Sequence, residues 1–77
     1  MIENIKLTLK ALRVNRGYNQ IDAARKLGVA VSTLSSWEQG KTFPDVEHIK
    51  KIEELYSTEY KNIIFLPKNY AKSVRAK

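Results

Sequence analysis

The chain has no cysteine, only three glycines and two prolines, and no long apolar run. Without thiols it has neither a disulfide framework nor a thiolate metal site, which suits a reducing cytosol. Its apolar residues are dispersed. No stretch approaches the roughly 18 to 20 residues that a membrane span needs, and no signal-peptide segment follows Met1. There is no glycine-rich phosphate loop, no nucleophile elbow and no cleft of paired carboxylates, so no enzymatic activity is expected. His48 stands alone on what reads as the exposed side of a helix, without a second His, a Cys or a suitably spaced acid. Glu53 and Glu54 read as a solvated face, so neither a metal nor a cofactor is expected. No β alternation, repeat or interdomain linker is present.

What the chain does hold is 77 residues with a net charge of +6. That length allows one domain with one modest core, burying about 60% of the unfolded surface, so stability stands to gain from dimerisation. The charge is uneven. Residues 66–77 (LPKNYAKSVRAK) carry Lys68, Lys72, Arg75 and Lys77 with no acid, whereas residues 1–65 hold ten bases and eight acids. A basic tail at 67–77 on a near-neutral domain at 1–66 points to a polyanionic partner; a merely solvated tail is the alternative.

The scarce glycines and prolines mark the ends of helices. Ile2, Ile5, Leu9 and Leu12 line one face of a first helix over roughly residues 3–16, closed by Gly17. Asn19 caps a second helix, with Asp22 three residues on, and that helix turns Ala23, Ala24 and Leu27 inward. Gly28-Val29-Ala30 turns the chain into a third helix, from about Val31 to Glu38, burying Leu34 and Trp37. Gly40 ends it. Pro44 suits the first turn of a fourth helix, whose stripe is Val46, Ile49, Ile52 and Leu55 or Tyr56. Tyr60, Ile63 and Ile64 read as a short fifth helix, and Pro67 stops it. Phe43 is expected in the core between the third and fourth helices.

Within Gln20–Gln39, the spacing of Ala24, Gly28 and Leu34 is what two helices packed at a steep angle require. A small residue lets the backbones approach, a glycine takes the left-handed turn, and a branched apolar residue locks the second helix beneath. This is the pattern of a helix-turn-helix, whose second helix is shaped for the major groove. With Leu9-Lys10-Ala11-Leu12-Arg13, Gly17-Tyr18-Asn19-Gln20, Leu27-Gly28-Val29, Ser32-Thr33-Leu34-Ser35 and Trp37-Glu38-Gln39-Gly40-Lys41, the chain resembles the Cro/repressor-type helix-turn-helix domains of phages and bacteria over roughly residues 5–65. The resemblance implies an all-α, compact five-helix bundle of the lambda-repressor-like type. It implies a non-catalytic regulator in the bacterial cytoplasm, on the nucleoid or on phage DNA, that binds double-stranded operator DNA mostly as a two-fold homodimer.

By position, the resemblance places base contacts at Val31, Ser32 and Ser36, with Thr33 and Ser35 on the flanks. It places phosphate contacts at Asn19, Gln20, Gln39, Lys41 and Thr42, and a structural ion pair between Arg13 and Glu38. The third helix departs from strong base readers. With no Arg, Asn or Gln at its contact positions, it offers no bidentate bond to guanine or adenine, so specificity is expected to lean on DNA shape. Ala30 stands where the family usually has a Ser or Thr cap, a loss of about 1 kcal/mol that also allows the helix to start a residue late. Tyr60, Ile63, Ile64, Phe65 and Leu66 hold more apolar area than a two-turn helix can bury, and Tyr60, Ile63, Phe65 and Leu66 are expected to join two copies, with closure of the monomer's core as the alternative, above all for Ile63. A phage or prophage repressor is the leading context. A restriction–modification controller, an antitoxin autorepressor and a protein-interaction adaptor are the alternatives.

Overall fold

The computed structural model describes residues 6–66. The basic tail at 67–77, and Ile2 and Ile5, lie outside them. The domain is mostly helical: α1 Leu9–Asn15, α2 Gln20–Leu27, α3 Val31–Gln39 and α4 Val46–Tyr56. A two-stranded parallel sheet, β1 Leu7–Thr8 and β2 Ile63–Ile64, ties the start of this unit to its end in the register Leu7 to Ile63 and Thr8 to Ile64.

Two expectations change here. The first helix begins only at Leu9, because the Thr8 hydroxyl accepts the Ala11 N–H at 3.2 Å and stops it, while Leu7 and Thr8 spend their backbone groups on the sheet. The expected fifth helix does not form. Tyr60–Asn62 make one 3₁₀ turn, and Ile63 and Ile64 extend into β2. The six residues between α4 and β2 leave room for no nucleated α-helix, whereas pairing with β1 satisfies the backbone of Ile63 and Ile64 immediately.

Each helix is bounded by side chains that the sequence supplies. The Asn19 carbonyl oxygen accepts the Asp22 N–H at 2.7 Å, and the Asp45 carboxylate accepts the His48 N–H at 2.9 Å. Asp45 is therefore the cap of α4, and Pro44 sits buried just before it instead of in the first turn. His48 is not free on an outer face. Its ring lies 5.4 Å from that of Trp37, and its Nδ1 is 2.7 Å from the Asp45 carboxylate. These two hydrogen bonds, the backbone one first, hold the Asp45 carboxyl below the usual aspartate range.

One core unites the elements. Leu9 and Leu12 of α1, Leu27 of α2, Leu34 and Trp37 of α3, and Ile52 and Tyr56 of α4 are buried together, closed over by Ile63. Ile63 is thus a core residue of the monomer, not an interface residue. Phe43, expected in the core, is 58% exposed. Pro44 next to it is buried, and the two line one surface cleft with Ile49, Tyr60 and Phe65. Among the described residues, no helix is long and apolar enough to cross a membrane.

Tyr56 is 2% exposed, and its hydroxyl has no hydrogen-bond partner among the described residues. Burial, aided by the Glu38 charge, pushes its pKa up to about 12. The folded protein therefore keeps a proton that the unfolded chain releases near pH 10, and stability falls as pH rises from about 10 to about 12. Tyr56→Phe is expected to be at least as stable as the wild type below pH 10 and to lose less stability above it. Urea unfolding followed by circular dichroism across that range is the check; equal losses in both proteins would contradict the assignment.

Candidate nucleic-acid interface

The α2–α3 pair is set by its turn. Gly28 adopts φ 76°, the Val29 N–H reaches back to the Ala24 carbonyl at 3.0 Å, and the Gly28 N–H to that of Arg25 at 3.1 Å. This pair of bonds closes a helix through a left-handed residue, and only glycine takes that conformation without strain. A Cβ at Gly28 would meet only the end of Lys51, at 3.7 Å, so conformation and not crowding demands glycine. Ala23 and Ala24 are buried to 1% exposure or less, which lets α3 lie against α2 with Leu34 between them.

The Glu38 carboxylate organises the edge of this pair. Arg13 grips it with two bonds, Nε at 2.7 Å and Nη2 at 3.2 Å, while Arg13 Nη1 donates to the Tyr18 carbonyl at 3.0 Å. Gln20, the first residue of α2, donates its Nε2 to the same carboxylate at 3.0 Å. The side chains of Arg13 and Glu38 are only 10% and 4% exposed, and the bond to Glu38 raises the Arg13 pKa above its already high value. The expected structural pair is present, and Gln20 is bound into it.

Ala30 starts α3 without a side-chain cap, and the helix nonetheless begins at Val31, so the positions of its face are not displaced. Val31 and Ser32 are exposed, Ser35 and Ser36 partly so, while Leu34 and Trp37 point inward. Gln39 donates to the Ser35 hydroxyl at 2.7 Å, joining one row of this face. Thr33 is half-buried on the flank. Beyond the helix, Gly40 at φ 80° delivers Lys41 and Thr42 to the exposed surface, and the Asn19 amide stands exposed at the start of α2. The face thus offers hydroxyls, amides, one ammonium and the uncapped N–H groups of α3, all suited to phosphate oxygens and base edges.

A helix-turn-helix family model matches residues 9–60. The chain belongs to the helix-turn-helix family. It is also 39% identical over 54 residues to the HTH-type transcriptional regulator ImmR of Bacillus subtilis (strain 168), a match covering 68% of this chain and 42% of that protein. The chain thus spans less than half the length of that relative. No solved structure matches it.

The helix-turn-helix surface also contains a residue that the sequence reading passed over. Lys10 is exposed on α1, three residues before Arg13, and lines one cleft with Gln20, Ser35, Gln39 and Leu66. The i, i+3 spacing to Arg13 was the available signal, because whatever places Arg13 against α3 places Lys10 at its rim. The residues expected at an interface between copies separate. Tyr60 and Phe65 stack at 5.7 Å and meet Phe43 at 5.8 Å, Ile63 is in the core, and Leu66 turns to the Lys10 cleft. Among the described residues, no group of three or more His, Cys, Asp or Glu gathers to hold a metal ion.

Removing one partner of the Arg13–Glu38 pair leaves the other charge buried and unmatched. Arg13→Ala and Glu38→Ala are each expected to cost about 3 to 5 kcal/mol, and the double variant well under their sum. Urea denaturation in a sulfate buffer, which keeps the single variants measurably folded, tests this. Additive losses would show that the two side chains are not coupled.

Proposed function

We propose that this chain is a transcriptional regulator that binds operator DNA as a homodimer, with α3 of each copy in the major groove. It is one DNA-binding domain, residues 1–66, followed by a basic tail, and a phage-repressor or Cro-like role is the context that fits best. The observation that carries the reading is the outer face of α3. Val31, Ser32, Ser35 and Ser36 stand outward on a helix anchored from behind by Leu34, Trp37 and Glu38, and no acid lies between Asp22 and Glu38 to repel phosphate. ImmR, a regulator by its name, supports it over the matched segment.

In this reading Val31 packs on a thymine methyl and the Ser32 and Ser36 hydroxyls bond base edges, with Thr33 and Ser35 beside them. Asn19, Gln20, Gln39, Lys41 and Thr42 hold phosphates. Gln20 keeps one amide N–H on Glu38 and has its second N–H for a phosphate oxygen. Lys41→Ala is expected to weaken binding to all duplexes alike and to lower the salt dependence, because a phosphate contact carries no sequence information. Exchanging Val31 for a polar residue is expected to change the preferred base pair by about 1 to 3 kcal/mol. Binding titrations on selected and scrambled duplexes distinguish the two behaviours, and a reversal of roles would refute the contact assignment.

A single domain with such small readers falls short of operator affinities of about 10⁻⁸ M. Two copies, each with α3 in one of two major grooves a turn of DNA apart, roughly 34 Å, combine both contact sets. Phe43, Tyr60 and Phe65 supply the joining surface: Phe43 and Tyr60 are more than half exposed, and with Ile49 they line an apolar cleft. Selection from random duplexes is expected to enrich a palindrome with half-sites one turn apart. Phe65→Asp is expected to sediment as a monomer and to bind the palindrome weakly. No enrichment would reject operator reading, and a wild-type protein that is monomeric on the enriched duplex would reject the dimer.

A further inference from the structure

Lys10 of α1, Gln20 of α2, and Ser35 and Gln39 of α3 line one cleft over the Arg13–Glu38 pair. Both Glu38 oxygens are taken, one by Arg13 Nε and the other by Arg13 Nη2 and Gln20 Nε2. The Arg13 and Glu38 charges offset each other there. Gln20 keeps a second amide N–H beyond the one on Glu38. Gln39 gives one N–H to the Ser35 hydroxyl at 2.7 Å and keeps its other. Ser35, already accepting that bond, has its own O–H left to donate. Lys10 is exposed, and among the described residues its ammonium is in no ion pair. The one uncompensated charge of the cleft is thus positive, and each of its three polar neighbours has a free donor.

We infer that this cleft holds one phosphate group, with Lys10 as its cation and Gln20, Ser35 and Gln39 as donors to its oxygens. The inference rests on the DNA-binding reading above; it adds Lys10 to the phosphate contacts and moves the Ser35 hydroxyl from the bases to the backbone. With Val31 on the bases, Ser35 and Gln39 lie about 6 and 12 Å farther along α3, at about 1.5 Å per residue. The major groove is about 12 Å wide, so the end of α3 that carries Gln39 stands at its wall, among the phosphates. Lys10 reaches the same place from α1, as a point charge that reads no sequence. A free phosphate ion would suit the same donors. The cleft measures about 730 Å³, far more than such an ion fills, which favours a length of sugar–phosphate backbone.

The test compares Lys10→Gln and Ser35→Ala with the wild type by fluorescence anisotropy at about 50 to 200 mM salt. The duplexes are the selected palindrome and an unrelated sequence of equal length. On the palindrome, each phosphate of a half-site is also replaced in turn by a neutral methylphosphonate. Lys10→Gln is expected to weaken binding alike on both duplexes and to reduce the salt slope by about 0.9 per bound copy. Its deficit then shrinks about 3.5-fold per copy across that salt range. One methylphosphonate position is expected to weaken the wild type several-fold and to leave both variants little changed. Both variants are expected to melt with the wild type, since Lys10 is exposed and Ser35 partly so. In a third arm, inorganic phosphate is titrated into the free protein while NMR follows the side-chain amides of Gln20 and Gln39; no saturable shift is expected.

A Lys10→Gln deficit that does not vary with salt would overturn the inference, as would the lack of any phosphate position that both variants ignore. A changed base preference in Ser35→Ala would overturn it by returning that hydroxyl to the base edges. Saturable shifts with inorganic phosphate that Lys10→Gln abolishes, together with unchanged DNA binding, would assign the cleft to a free anion and overturn it too. Wild-type binding to neither duplex would instead refute the DNA-binding reading itself, a result distinct from failure at the cleft.

Discussion

The Glu38 carboxylate is the point on which the three elements of the interface depend. It sits at the end of α3 and is almost removed from water. It receives the forked guanidinium of Arg13 from α1 and the amide of Gln20 from α2. A buried ion pair is a poor source of net stability, since desolvating both charges offsets most of their attraction. Its contribution here is geometric. Two parallel bonds to a planar guanidinium allow one orientation only, and the third bond, from Arg13 to the Tyr18 carbonyl, fixes the loop that delivers Gln20. Hydrophobic packing through Leu34 sets how close α3 lies, while this network sets its angle and depth.

The same concern for position explains the small parallel sheet. Two residues on each side bury little and form few bonds, yet they join Leu7 to Ile63 across nearly the whole described chain. Ile63 thereby becomes the lid of the core, and the two residues after β2 diverge: Phe65 towards the Phe43 and Tyr60 aromatics, Leu66 towards the Lys10 cleft. Within β2 itself Ile63 is buried and Ile64 exposed, the alternation of a strand, where a helix would have spaced its apolar residues by three and four.

Chemically, the surface is rich in weak contacts and poor in strong ones. The α3 face has hydroxyls and a methyl-bearing valine where a bidentate reader would be decisive, and it starts on an alanine that caps nothing. Such a face carries hydrogen-bonding groups that suit phosphate oxygens and several base edges alike.

The sequence by itself determined the parts governed by local chemistry. Gly28 and Gly40 needed left-handed turns, Asn19 needed only its own next three residues to cap α2, and the placement of Ala24 and Leu34 could serve only two closely packed helices. Arg13 and Glu38 were legible as a pair through family resemblance, 25 residues apart, though not Gln20 as their third member. Only the tertiary structure decided the rest. Thr8 falls inside the first helix that periodicity predicts, and it became that helix's cap where the backbone pairs with a strand more than fifty residues away. Phe43 and His48 depart from their expected environments: the Phe43 ring meets Phe65 at the surface, and His48 lies against the Trp37 ring. Periodicity reports which side of an element is apolar. Which apolar side chain wins a buried site is settled by packing between elements distant in sequence.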